Sequence, residues 1–272
     1  MHVLVVLAGV ADPRKPLPSP ASGDWRDMVG RPAAQPSALT SASISFKPSP
    51  FDEAALETAL KLRHAGTATR ITAVVTDGAN DIALMRAVAA LKPDAVCGVP
   101  GLASLRWDPV ARARALARTL ASFSDARLVL IGREHGDADD GSLPGMLADA
   151  MEHAFVGLAL SVSGTDEGIT VERLAGESTA SAQLALPAVV SMTNDKGNRL
   201  RHPLLKNVMQ AKQQTFDTLD SDVPAAPRVQ VARAQPASSR RNAAEPCRML
   251  QGSLPEQARQ LAEFLQPWCQ RK

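Results

Sequence analysis

Two stretches of this 272-residue chain carry side chains whose types and spacing suit chemistry. The first is Ser49-Pro50-Phe51-Asp52. A serine followed three residues later by a carboxylate is a capping-box pattern, and the intervening proline fits the first turn of a helix. Such a helix start presents backbone amides to an anion. The second stretch runs from Gly132 through Arg133, His135, Asp137, Asp139, Asp140, Gly141, Ser142, Leu143 and Pro144 to Gly145, directly after the apolar run Leu128 to Ile131. Ligands of open α/β sheets sit beyond the carboxyl ends of the strands, so this is the best ligand loop of the chain. Its three carboxylates repel a phosphate unless they serve to orient amides, and Pro144 has no amide to offer. Asp137, Asp139 and Asp140 also admit a metal reading, but no regular ligand loop surrounds them.

Other chemistries lack support. His2, His64, His135, His153 and His202 share no ligand spacing and read as surface or loop histidines. Cys97, Cys247 and Cys269 are scattered, without a zinc or disulfide pattern, which points to a reducing cytoplasm. Ser142 lies outside any Gly-x-Ser-x-Gly turn, so a hydrolase triad has no basis. No Gly-x-Gly-x-x-Gly follows the first strand, against a classical NAD dehydrogenase. With 3% aromatics, no Tyr and a net charge of +2, the chain has little with which to stack bases or follow a nucleic-acid backbone. No apolar run approaches the roughly 20 residues of a membrane span.

The elements that must position these residues follow from periodicity. Val3 to Leu7 is a continuous β-branched and leucine run, the pattern of a strand buried on both faces, and reads as a first strand rather than a signal peptide. Residues 12–48 form a proline-loaded excursion, with Trp25 as its possible anchor. A helix then begins at Ser49, with Phe51, Ala55, Ala59 and Leu62 on its apolar face. Strands over 70–76, 94–99 and 127–131 alternate with helices over 81–91 and from Asp108 to Phe123. Residues 164–184 read as a hairpin arm, 186–192 as a further core strand and 204–212 as a short helix. The alternation predicts an α/β fold with a doubly wound, mostly parallel sheet over residues 1–215. A linker and a C-terminal arm over 216–272 follow, ending in a helix from Ser253 with Ala258, Leu261, Ala262 and Leu265 on one face.

In order along the chain, six segments resemble the electron transfer flavoprotein β subunit. They are Val3 to Val6 with Val10-Ala11-Asp12-Pro13, then Pro50-Phe51-Asp52-Glu53, and Ala73-Val74-Val75-Thr76. The others are Ile131-Gly132-Arg133 with Asp137 and Asp139, Leu186-Pro187-Ala188-Val189-Val190, and Lys206-Asn207-Val208-Met209-Gln210-Ala211-Lys212. The resemblance implies a Rossmann-like, adenine nucleotide hydrolase-like sheet and one half of a heterodimer. Such a heterodimer accepts electrons from flavin dehydrogenases and passes them to a membrane quinone oxidoreductase. Its α subunit holds most of the FAD, while the β subunit binds AMP or, in bifurcating members, a second FAD. Carried over by position, the cofactor-binding residues would be Val6, Ser49, Pro50, Phe51, Asp52, Thr76, Asp137, Asp139, Gly141, Ser142 and Gly145, with Phe51 toward the flavin edge. The family's partner-recognition loop, with its protruding leucine, corresponds to Asn194, Asp195, Lys196, Gly197 and Leu200. A polar tip here predicts a dedicated flavin dehydrogenase and salt-sensitive docking. The sequence departs from the family in Gly141-Ser142-Leu143-Pro144, where the phosphate loop loses side-chain donors, and in Ala8-Gly9, where two basic residues are usual. Two further readings stand beside this one: a structural subunit with a degenerate nucleotide pocket, and an ATP- or AMP-binding hydrolase-like protein.

Overall fold

The computed structural model describes residues 1–14, 45–105, 107–136, 139–165, 167–221 and 249–269. Trp25, Asp137 and the stretch around Arg228 to Arg241 lie outside them. Two compact units divide the chain at Ala234 and Gln235.

The first unit is built on β1 (His2–Leu7), all six residues of which are buried. Its side chains alternate between two cores: Val3, Val5 and Leu7 face one, Leu4 and Val6 the other. This is the period of two expected of a strand covered on both faces. β2 (Val10–Ala11) and β3 (Phe46–Lys47) pair antiparallel and clasp the two ends of the proline-rich excursion. Then come α1 (Pro50–His64), β4 (Arg70–Val75), α2 (Ile82–Ala89), β5 (Ala95–Gly98), α3 (Pro109–Leu120) and β6 (Ala126–Gly132). α4 (Leu143–Met151), β7 (Ala154–Gly164), β8 (Gly168–Ala175), β9 (Ser178–Ala185), β10 (Ala188–Met192), α5 (Leu205–Ala211) and β11 (Asp217–Thr218) complete the unit.

The nine-stranded sheet has the order β11-β5-β4-β1-β6-β10-β7-β8-β9. Pairs from β11 to β7 are parallel, and β8 runs antiparallel to both neighbours. α1 and α2 contribute to one core and α3 and α4 to the other, so the sheet is doubly wound. β1 lies between β4 and β6, and the chain reverses its direction of travel across the sheet there. That switch point opens a crevice at the carboxyl ends of β1 and β6.

Two strands escape the pattern reading. The sequence pattern predicts no element over β7, which pairs with β10 through its first half and with β8 through its second. The register shifts midway, where Leu158 takes φ +59°, so the apolar alternation that marks a strand is broken. β11 extends the sheet beyond residue 215: Leu219 donates to the carbonyl of Gly98 at 2.8 Å and Ser221 to that of Pro100 at 2.6 Å. These residues are polar and too few to carry a periodicity, so only their partner strand defines them.

The second unit contains α6 (Leu254–Cys269), along which Leu254, Leu261, Phe264 and Leu265 are exposed. Among the described residues no helix is long and apolar enough to cross a membrane.

Candidate functional site

The crevice is shaped by the start of α1. Ser49 Oγ accepts from the Asp52 amide at 3.0 Å, and the Asp52 carboxylate accepts from the Ser49 amide at 2.9 Å, which closes the capping box. The same carboxylate reaches outside the helix and accepts from the amides of Ala8 at 3.0 Å and Gly9 at 3.1 Å, just beyond β1. Asp52 is therefore a staple between strand end and helix start, and it is fully buried. Burial pushes its carboxyl above the usual range, and the three backbone donors oppose that push. Gly9 occupies the left-handed region at φ +74°, open to glycine at little cost. Gly132 ends β6 so near this helix start that a Cβ there would lie 2.7 Å from the Phe51 Cβ. Phe51 is half-buried, with the Arg133 guanidinium 5.5 Å above its ring centre.

The opposite wall is the start of α4. Asp139 Oδ1 accepts from the amides of Gly141, Ser142 and Leu143, each at 3.2 Å, and its Oδ2 accepts from the His135 amide at 3.0 Å. Asp140 also accepts from the Ser142 amide, at 3.2 Å. Pro144 follows as a residue without an N–H, and Ser142 makes no side-chain cap. A cavity of about 200 Å³ adjoins this turn, lined by Trp107, Pro109, Arg112, Asp139, Ser142 and Leu143 among others.

Between the walls lies a buried polar cluster. His135 is fully buried, its Nε2 is 2.9 Å from Thr76 Oγ1, and its Nδ1 has no hydrogen-bond partner. Burial first, and the nearby Arg112 charge second, hold its pKa well below the ordinary value of 6.5, so the ring is neutral. Arg112, itself buried, pairs with Asp77 at 2.5 Å. His135 lies in a loop, as expected, but is buried, and His2 corrects the surface-or-loop expectation outright, since it is buried in β1. His2 lies between Asp125 and Thr72, at 2.9 Å from each, at the amino ends of the strands. The line resembles a catalytic triad, but Thr72 is fully buried and out of reach of a substrate.

Of the residues singled out in the sequence, Ser49, Asp52, Thr76, Asp139, Gly141 and Ser142 meet around the crevice. Pro50 is exposed at its mouth and Gly145 half-buried in the first turn of α4. Val6 is a core residue of the α3 and α4 face. Sequence reasoning missed Asp77 and Arg112. The spacing of Arg112 by four from Leu116 and again from Leu120 places it on the buried stripe of α3, and a buried guanidinium demands a partner.

A phosphate does not fit the α4 turn as it stands. Three of its amides already serve a carboxylate, and the proline supplies none.

The segment that the family resemblance singled out for partner recognition is bolted to the far end of α1. Lys61 donates to the Gly197 carbonyl at 2.5 Å and to Asn198 Oδ1 at 3.0 Å. Arg201 grips the buried Glu57 with its Nη2 at 2.7 Å and its backbone amide at 3.1 Å. Asp195 caps the turn through the Gly197 amide, while Asn194, Lys196 and Gly197 are exposed. Leu200 is half-buried against the core, whereas Leu204 and Leu205 are 61% and 77% exposed, and Met209 is exposed beside them.

Residues 39–224 match the electron transfer flavoprotein domain. The mitochondrial electron transfer flavoprotein subunit beta of Oryza sativa subsp. indica is 31% identical over 195 residues, covering 68% of this chain and 75% of the relative. The subunit beta of Syntrophomonas wolfei is 32% identical over 184 residues, covering 66% and 70%. That of Bradyrhizobium diazoefficiens is 31% identical over 173 residues, covering 63% and 67%. With the switch-point crevice and the doubly wound sheet in place, these matches make the chain a divergent member of the electron transfer flavoprotein β-subunit family.

Proposed function

We propose that the chain is the β subunit of a heterodimeric electron transfer flavoprotein, carrying electrons from a flavin dehydrogenase toward a membrane quinone oxidoreductase. The FAD is held mainly by the α subunit. One observation carries this division of labour: Phe51, half-buried with the Arg133 guanidinium 5.5 Å from its ring centre, offers a single apolar edge at the crevice. Phe51 under Arg133 is then an edge presented to a flavin bound elsewhere, not a pocket for one. When bound, the flavin supplies the redox chemistry; this chain contributes an apolar ring and a cation at the interface. The exposed apolar side chains of α6 are the proposed contact with the α subunit, since a single helix has no core of its own. The cytoplasm is the proposed compartment, on the three scattered cysteines.

A dedicated dehydrogenase is the proposed electron donor. Leu204 and Leu205 take the role of the aliphatic anchor, because Leu200 packs inward while they project. The exposed Asn194 and Lys196 supply the polar collar that makes docking salt-sensitive.

Purification of the chain alone and together with its α subunit tests the reading. The lone chain is expected to be colourless, and the pair yellow with flavin. Stoichiometric FAD in the lone chain would overturn the assignment of the flavin to α.

A further inference from the structure

The seat for an anion at the start of α4 is built and already taken. Four backbone donors converge on one carboxylate: the amides of Gly141, Ser142 and Leu143 on Asp139 Oδ1, and that of His135 on Oδ2. Ser142 Oγ leans on the same Oδ1 at 3.4 Å. A nucleotide phosphate at the start of this helix would need those helix amides, because they are the donors that the first turn leaves unpaired. The next position, Pro144, cannot compensate. Asp140, exposed beside the turn, adds a second negative charge facing any incoming anion. The His135 end is anchored too: its ring Nε2 lies 2.9 Å from Thr76 Oγ1 while its amide donates to Asp139 Oδ2.

We infer that Asp139 is a built-in substitute for the phosphate of a nucleotide, so that this β chain folds and pairs without AMP. The inference rests on the β-subunit reading above and sharpens it: the αβ protein carries the flavin as its one nucleotide cofactor. The carboxylate does for the helix start what the phosphate would do, placing a negative charge at the positive end of the dipole. Because it is covalently part of the loop, no binding entropy is spent and no ligand concentration is needed to keep the crevice closed.

The test uses the purified αβ complex. Small molecules released by heating are identified by mass spectrometry, and melting temperatures are recorded against rising AMP and rising inorganic phosphate for wild type, Asp139→Ala and Asp139→Asn. Wild type is expected to release FAD and no adenine mononucleotide, and its melting temperature is expected to ignore both probes. Asp139→Ala frees the amides, so its melting temperature is expected to start lower and climb with either probe, as mass action requires of a ligand bound only by the folded state. Asp139→Asn keeps an oxygen for the helix amides and is expected to stay silent to both.

One equivalent of AMP released by wild type would overturn the inference, and so would an Asp139→Ala complex that folds yet ignores phosphate and AMP. Should Asp139→Ala fail to fold, the ligand census of wild type still decides. Flavin content is scored separately: its absence from the pair strikes the β-subunit reading, whereas AMP strikes only the filled seat.

Discussion

The crevice and the segment from Arg199 to Met209 treat their chemistry in opposite ways. At the crevice, Asp52 and Asp139 each gather amides of their own chain, and Arg112 is paired with Asp77. In the segment, Arg201 is bound back to Glu57, but Leu204, Leu205 and Met209 are exposed. The comparison separates two kinds of interaction. A region that satisfies itself contributes to folding, and a region that keeps its surface unsatisfied contributes to association. Mutations should therefore split into those that lower stability and those that lower docking alone.

The largest effect is expected at Asp52. Replacement by Ala strands the amides of Ala8, Gly9 and Ser49 in a buried place, so the loss should exceed that of a simple cap and reach about 3–5 kcal/mol. Thermal melts would show a fall of about 10 °C at this chain length. A loss below about 1 kcal/mol would mean that the staple is dispensable and the contrast between the regions is overdrawn.

Glu57→Ala should cost about 1–2 kcal/mol, less than a fully buried pair because Arg201 is partly exposed. This residue sits on the boundary of the comparison, so both readouts should move. Hydrogen exchange should quicken at the amides of residues 196–201, and reduction of the αβ pair by its dehydrogenase should slow. Unchanged exchange would show that Lys61 alone fixes the segment.

His135 offers a pH test. Its folded pKa is depressed, so below the ordinary value of 6.5 the unfolded chain takes up a proton that the folded chain refuses. Stability should fall as pH drops through that value, by at most about 1.4 kcal/mol per pH unit. His135→Gln should remove this component from the slope of melting temperature against pH. The raised pKa of Asp52 acts with the opposite sign, so the difference between wild type and variant is the quantity to compare. Identical slopes would place the titrating group elsewhere.

The smallest stability effect belongs to Leu205→Ala. An exposed leucine should change folding by less than about 0.5 kcal/mol, yet the apparent KM of the dehydrogenase for the αβ pair should rise, about tenfold if 1.4 kcal/mol of docking is lost. The same substitution at Leu200 should show the reverse, destabilising the fold with little direct effect on docking. If Leu200→Ala were the docking variant, the two leucines would have been assigned the wrong way round.

The parts of this arrangement that sequence made legible are the local ones. Ser49 and Asp52 are three residues apart, and a capping box is read from that spacing alone. The other half of the staple joins Asp52 to Ala8 and Gly9 across more than forty residues, and no spacing rule reaches that far. β1 shows itself because both of its faces are apolar, whereas β7 hides because its pleat is interrupted at Leu158. Leu200 and Leu205 look alike in sequence. Only the packing of the intervening turn on α1 decides that one is covered and the other is not. His135 read as an ordinary loop histidine because its burial depends on Thr76 and Arg112, which belong to other strand–helix units.

The two-residue strand β11 has a consequence for how the molecule is made. β5 stands one place from the edge of the sheet, and among the described residues Asp217 to Leu219 pair with its outer side at Cys97 and Gly98. During synthesis β1, β4 and β5 leave the ribosome in that order and can pair as they emerge, while the outer edge of β5 waits for more than a hundred residues until β11 follows. In that interval it is a template for any other extended chain nearby. The late arrival of a short polar strand, tied down at Ser221 and at Thr119, covers that edge at Cys97 and Gly98. Truncation just before it would thus leave a nascent chain with most of its core intact and a lasting tendency to self-associate through β5.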